Sequence, residues 1–281
     1  MKLIKKVFDF KGAPILAIGF VALFILETRR QLRKRKQLRS ERIITNSIVA
    51  LPAFSLLRFL FLPIMVKLAT KNVSWRLGMA NGMKANAFVK CMVAFLIMDY
   101  TNYLWHVLNH KVPALWRFHL VHHTDRDLDV TTALRFHFGE MIGSVFYRGT
   151  FVILSGAAPL HVLLYEILFE GATQFHHSNW KLPLEVEKKL NAVVVTPRMH
   201  GIHHSEIKDE ADSNYSVIFS WWDRLHKTLR LNVPQHELVI GVPGYQHNDQ
   251  LTIGKLLALP FSRIKPWDGK RLTRQSSGEA F

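Results

Sequence analysis

The chain has 281 residues, is 49% hydrophobic and carries a formal net charge of +16. That length suits one substantial domain or a helical membrane unit with a cytosolic cap, and the excess charge fits an anionic membrane surface as well as a nucleic acid. Its one cysteine, Cys91, lies in an apolar run; an intrachain disulfide is excluded, and the thiol reads as a small buried hydrophobe.

Residues 1–11 carry Lys2, Lys5, Lys6 and Lys11, and residues 13–26 follow without a charge. The outline is that of a signal peptide, but no small-x-small cleavage site precedes the next basic run. A first membrane span is expected, approaching the ~20 residues one requires, with an interfacial or re-entrant helix as the alternative. Residues 28–42 hold Arg29, Arg30, Arg33, Lys34, Arg35, Lys36, Arg39 and Arg42. We read them as a solvated loop marking the cytoplasmic side; a nucleic-acid partner is not expected. Residues 43–69 are mostly apolar with Arg58 near the middle, where a charge costs ~2.5–3.5 kcal/mol on insertion scales unless it snorkels, pairs or faces protein. Two short spans or a hairpin around Pro52 are predicted there, then a polar connector over 70–85.

Residues 86–98 are apolar apart from Asn86 and Lys90, and Asp99 follows. Asp99, Tyr103, His106 and His110 (i, i+4, i+7, i+11) follow one helical stripe, so a helix should run from the bilayer into the aqueous side with two histidines at its end. Asp99 is placed either to hold a histidine N–H, as carboxylates beside metal ligands do, or to pack against another helix. Residues 111–140 read as a water-facing connector containing Asp125, Arg126, Asp127 and Asp129. Arg135, His137 and Glu140 are expected to form a hydrogen-bonded cluster, with His137 supporting a ligand rather than ligating.

The long apolar stretch 141–175 breaks at Ser155–Pro159, a Gly/Pro-containing turn. Two membrane helices, descending and returning, should deliver His176 and His177 to the side of the first histidines, leaving His161 at the far end. Residues 181–281 contain no span. Pro197 precedes a last histidine group, and Asn214, Tyr215 and Asp223 are candidates to support it. Phe219, Trp221 and Trp222 suit a membrane interface or ordinary core packing. A loose tail is expected from about Lys265.

The histidines carry the functional argument. His106 and His110 are i and i+4, as are His119 and His123 with His122 one position off, and His200, His203 and His204 repeat the pattern. With one more from the 176–177 pair, these nine are too many for one ion and suit two. Cysteine is absent from every group, which excludes thiolate zinc and iron–sulfur sites. An all-nitrogen set leaves iron, zinc, copper and nickel open. With residues 28–42 in the cytoplasm, the parity of the expected spans brings all the groups to the cytoplasmic face. The fold class expected is therefore all-α: an integral-membrane helical bundle of about four to five membrane helices with a cytosolic helical cap holding a histidine-rich dimetal site.

His106-x3-His110, His119-x2-His122-His123, His177-Ser178-Asn179 and His200-x2-His203-His204 resemble the histidine boxes of the fatty acid hydroxylase/sterol desaturase superfamily. Neighbouring residues agree: Leu115-Trp116-Arg117-Phe118 before the second box, Thr132-Ala133-Leu134-Arg135-Phe136-His137 after it, Thr196-Pro197 before the last, and Asn214-Tyr215 and Trp222-Asp223-Arg224-Leu225 beyond. The resemblance covers roughly residues 85–230, leaving 1–84 as N-terminal anchor helices and 231–281 as a cytosolic extension. It selects His177 over His176 as the ligand, with Asn179 beside it. It implies two non-haem iron ions, O2 as co-substrate and a lipid C–H bond drawn from the bilayer, hydroxylated or desaturated. The chain departs from the family at His226-Lys227, where Phe-Gly is frequent, and at Phe138, where Pro is frequent. Neither departure touches a box.

Two electrons must be supplied to such a site. No G-x-G-x-x-G, haem module or flavin motif occurs in the chain, so a separate reductase, cytochrome or ferredoxin is implied. A zinc peptidase fails because Ile240 stands where His236-Glu237 would need a second histidine, and no G-x-S-x-G elbow is present. A membrane bis-histidine haem protein leaves the His-His doublets surplus. A non-catalytic metal carrier is the rival from another class.

Overall fold

The computed structural model describes residues 12–267, so the basic residues at 1–11 and most of the expected loose tail lie outside the described residues. The described residues form helices joined by short connectors, with no β-structure beyond isolated bridges such as Gln31 to Trp180. Helix α1 (Ala13–Arg29) leads through the basic connector to α2 (Arg39–Leu56), which continues through a π-helical segment, Leu57–Phe61, into α3 (Leu62–Trp75). Helix α4 (Ala87–Lys111) starts on an Asn86 side chain that accepts from the Val89 amide at 2.9 Å. Then come α5 (Pro113–His123), α6 (Phe138–Ser155), α7 (Pro159–His177), α8 (Leu184–Asn191) and α9 (Pro197–His203), the first, third and last opening on proline.

No turn forms at Pro52. It sits inside α2, and the helix widens into the π segment five residues later, ahead of Pro63 in the first turn of α3. Each proline removes one backbone donor, and the π turn absorbs the mismatch without breaking the rod. Among the described residues two stretches are long and apolar enough to cross a membrane, the helical run Arg39–Gly82 and α4. Helix α1 has 17 residues, while α6 and α7 carry Arg148, Glu166 and Glu170. The stretch 141–175 is thus less apolar than its overall pattern suggests.

The expected hairpin is present. Gly156 (φ +72°) ends α6 in the left-handed conformation, and Pro159 opens α7. Gly78 (φ +79°) rests against it so closely that a Cβ there would lie 2.2 Å from the Gly156 nitrogen. Asn72 clamps the same corner, donating to the carbonyls of Val152 (2.7 Å) and Ala157 (3.1 Å). The main core lies between α3, α4, α6 and α7, with Phe61, Met65, Phe95, Val152 and Tyr165 buried. A second core packs Leu120 and Val121 of α5 on Val242, Tyr245 and Leu256 of the C-terminal segment.

Two expectations about charge are corrected. Residues 28–42 are not a uniformly solvated loop, because Arg33 and Arg42 are buried, and neither are the aspartates of 111–140 water-facing. The Arg42 guanidinium engages both oxygens of Asp125 (3.0 and 2.8 Å), and it also pairs with Asp129. Burial opposes ionisation of Asp125, but Arg42 and Arg135 hold its carboxyl well below the usual carboxylate range. Arg33 exchanges hydrogen bonds with Asn179 and donates to Gln235 at 2.6 Å. Buried Glu27 of α1 accepts from the amides of Val130 (3.0 Å) and Asn179 (2.9 Å). The basic segment is thereby strapped to the loops that carry histidines.

Candidate metal centre

Four segments converge. Helix α4 brings His106 and His110, α5 brings His119, His122 and His123, the end of α7 brings His177, and α9 with its cap brings His200, His203 and His204. Their rings divide into two sets, His106/His110/His119/His123/His203 and His122/His177/His200/His204, all buried, with the donor atoms of each set within 4.8 Å of one another. Proline at the first turn of α5 and of α9 fixes where each short helix starts, so its i, i+3 and i+4 histidines face inward.

Within the sets, ring nitrogens face ring nitrogens. In the first, His123 Nε2 lies 3.1 Å from His110 Nε2 and 3.2 Å from His119 Nε2. In the second, His177 Nε2 lies 3.0 Å from both His122 and His200 Nε2, and His204 Nε2 lies 3.1 Å from His200 Nε2. Several opposite nitrogens are committed as donors. His106 Nδ1 donates to the Tyr215 carbonyl, His177 Nδ1 to that of Thr173 and His203 Nδ1 to that of Ser213, each at 2.7 Å. His119 Nδ1 faces both Glu140 oxygens at 3.2 Å. A proton fixed on Nδ1 leaves Nε2 as a bare lone pair.

Lone pairs converging in a dry interior repel unless a cation lies between them. Two nitrogens each ~2.1 Å from one ion, subtending about a right angle, are ~3.0 Å apart, which matches the observed spacings. His203 Nε2 is buried with no hydrogen-bond partner among the described residues, a further sign of a missing cation. Burial, reinforced by neighbouring imidazoles, holds His122, His123, His200 and His204 well below the usual histidine range and His203 down to about 3. These five donors are thus neutral at physiological pH, as metal binding requires. The residues present fit two transition-metal ions.

Several expected supports act elsewhere. Asp99 touches no imidazole; it accepts from the Trp222 indole (2.7 Å) and the Phe219 amide (3.3 Å). His137 caps α6 and bonds the Leu257 carbonyl, Arg135 donates to Val121, Asn46 and Thr124, and Glu140 alone of that trio reaches a histidine. Asn179 binds the basic connector. Asn214 (φ +55°) donates to the Met199 and Arg230 carbonyls. Tyr215 contributes through its carbonyl and by packing its ring on His106, His110 and His203. Asp223 accepts from the amides of Tyr215 and Ser216, both at 2.9 Å, and so fixes that carbonyl. His176 lies outside both sets, packed on His200 with its Nδ1 on the Val217 carbonyl. The carbonyls of Thr173 and Ser213 went unnoticed in the sequence because a backbone acceptor has no residue signature.

A cleft of about 60 Å³ opens beside the rings, walled by Asn102, Trp105, Phe136, Phe169 and Val217. A larger cavity of about 500 Å³ lies between α1, the π segment and α7.

The fatty acid hydroxylase family model matches residues 91–228, which include every histidine of both sets. Residues 91–228 thus form a domain of the fatty acid hydroxylase/sterol desaturase superfamily. Within that superfamily the chain is 32% identical to an ornithine lipid hydroxylase of Rhizobium tropici over 180 residues, 61% of this chain and 50% of that one. It is 28% identical to cholesterol 25-hydroxylase of Homo sapiens over 145 residues, 50% of each. With alkylglycerol monooxygenase of Xenopus tropicalis it shares 29% identity over 150 residues, 53% of this chain and 31% of that one. The matches thus span half or less of these relatives. No solved structure matches the chain.

Proposed function

We propose that this chain is a multi-pass membrane oxidoreductase that hydroxylates a lipid C–H bond with O2, two electrons and two protons, releasing water. The observation that carries the reading is the pair of dry, all-nitrogen histidine sets, with facing Nε2 atoms 3.0–3.2 Å apart, inside a superfamily match. When bound, two non-haem irons would supply the electron-accepting, O2-activating chemistry that no side chain provides.

The chain's own part is positioning and exclusion. His106, His110, His119, His123 and His203 would hold one ion, and His122, His177, His200 and His204 the other. Glu140 and the carbonyls of Thr173, Ser213 and Tyr215 orient the rings by holding Nδ1 protons. Trp116, with Trp267 packed on it, covers His110 and His123 and keeps water out. The 60 Å³ cleft, lined by Phe136, Phe169 and Trp105, presents an apolar wall to a lipid carbon. The relatives named above carry hydroxylase or monooxygenase names, which favours hydroxylation over desaturation, and their differing lipids leave the class of lipid open. The basic segment strapped to Asn179 and, through Arg33, to the Pro197 carbonyl supports a cytoplasmic site by the positive-inside rule. Electrons would come from a separate reductase, cytochrome or ferredoxin.

The test is metal analysis of protein purified in mild detergent from iron-supplied cells, with an optical spectrum of the same sample, followed by isotopically labelled O2. About two irons per chain, no Soret band and label in a membrane lipid are expected. Exchangeable metal without O2 consumption would instead establish the carrier reading.

A further inference from the structure

The 500 Å³ cavity is apolar apart from a few groups. Glu166, Glu170 and Gln174 form one stripe of α7, and Arg58 stands on the π segment that lines the same space. Leu16, Phe20 and Leu57 are among the apolar walls. Glu166 is 4% exposed and pairs through Oε1 with Arg148, yet its Oε2 has no hydrogen-bond partner among the described residues. A buried carboxylate oxygen without a donor is a costly feature in an apolar cavity. Glu166 Oε2, with Glu170 one helical turn away, is thereby an acceptor open to a bound hydrogen-bond donor.

The cavity and the histidine cleft occupy adjacent stripes of α7. Glu166, Glu170 and Gln174 line the first, while Phe169, Thr173 and His177 line the second, and Leu134 and Phe136 of one connector face one space each. Glu170 and His177 are seven positions apart, about 10 Å along the helix axis.

We infer that this cavity binds the polar end of a lipid through a hydrogen-bond donor, a hydroxyl or an amine, received by Glu166 and Glu170. Resting on the hydroxylase reading, this assigns the substrate class as a lipid with a donor group at one end.

Binding can be read without turnover. The full chain as purified, in a phosphocholine detergent whose head group carries no hydrogen-bond donor, is titrated with 1-dodecanol, dodecylamine or 1-methoxydodecane while its thermal midpoint is followed. The alcohol or the amine should raise the midpoint by several degrees more than the ether, which has no donor. Glu170→Leu, which suits the apolar wall and spares the Glu166–Arg148 pair, should remove that difference. Glu170→Gln keeps an acceptor and should retain an alcohol response while losing an amine response, which separates the two sources. An ether response equal to both others, or an undiminished response in Glu170→Leu, would overturn the assignment. Donor binding in a chain that holds no iron when loaded would leave this site standing and remove the hydroxylase reading.

Discussion

His122 belongs to the second set through Nε2 and stacks on Phe136 at 4.7 Å. His122→Ala should therefore abolish turnover and lower metal content while leaving membrane insertion intact, as read by metal analysis beside a membrane-extraction assay. Full activity in that variant would sink the ligand assignment. Glu140 acts one step back, orienting His119. Glu140→Gln should weaken metal retention or activity by about 10–100-fold, the usual effect of losing a partner behind a metal ligand, measurable by competition with a chelator. Lys227 is exposed, with φ at +59°. Lys227→Gly relaxes that left-handed backbone and should alter substrate preference at most; metal loss there would contradict its placement outside the site.

At the scale of elements, straps decide how the short histidine helices stay in place. Arg42, at the start of α2, reaches Asp125 just past α5 and Asp129 at the head of the next turn. Removing one partner strands the others as buried charges, so Arg42→Ala should destabilise the protein by about 3–5 kcal/mol, seen as a lower denaturation midpoint with iron content falling in parallel. This strap also shows why some of the site was illegible in the chain. The i, i+4 histidines, the α4 stripe and the Gly156–Pro159 corner were readable because their physics is local: periodicity, proline and left-handed glycine. Arg42, Asp125 and Glu27 looked like ordinary solvated charges because, beside nearer contacts such as Arg39 on Glu27, they meet partners 79 to 152 positions away, and no local pattern encodes such a meeting. Of the two roles open to Asp99, a histidine contact or packing against another helix, its bond to Trp222, 123 positions away, matches the second.

For the whole molecule, two bound ions would tie together α4, α5, α7 and α9, which already pack directly, α4 on α5 and α7, and α9 on α7. Stripping metal with a chelator should lower the thermal midpoint and expose the amides of α5 and α9 to hydrogen exchange, while α3 and α4 near Phe61 and Phe95 keep their protection. Uniform loss of protection throughout would mean that the metals hold up the bundle itself.

The order of the histidines along the chain has a consequence for biosynthesis. Five imidazoles, from His106 to His123, emerge first, but each set is completed only when His203 or His204 follows. At a synthesis rate of ~5–20 residues per second, the interval lasts on the order of 4–16 seconds. During it a half-built cluster is open to whichever ion is at hand, and copper and zinc outrank ferrous iron on such nitrogen donors. On the di-iron reading, correct loading would then depend on metal supply during synthesis as much as on the affinity of the finished site.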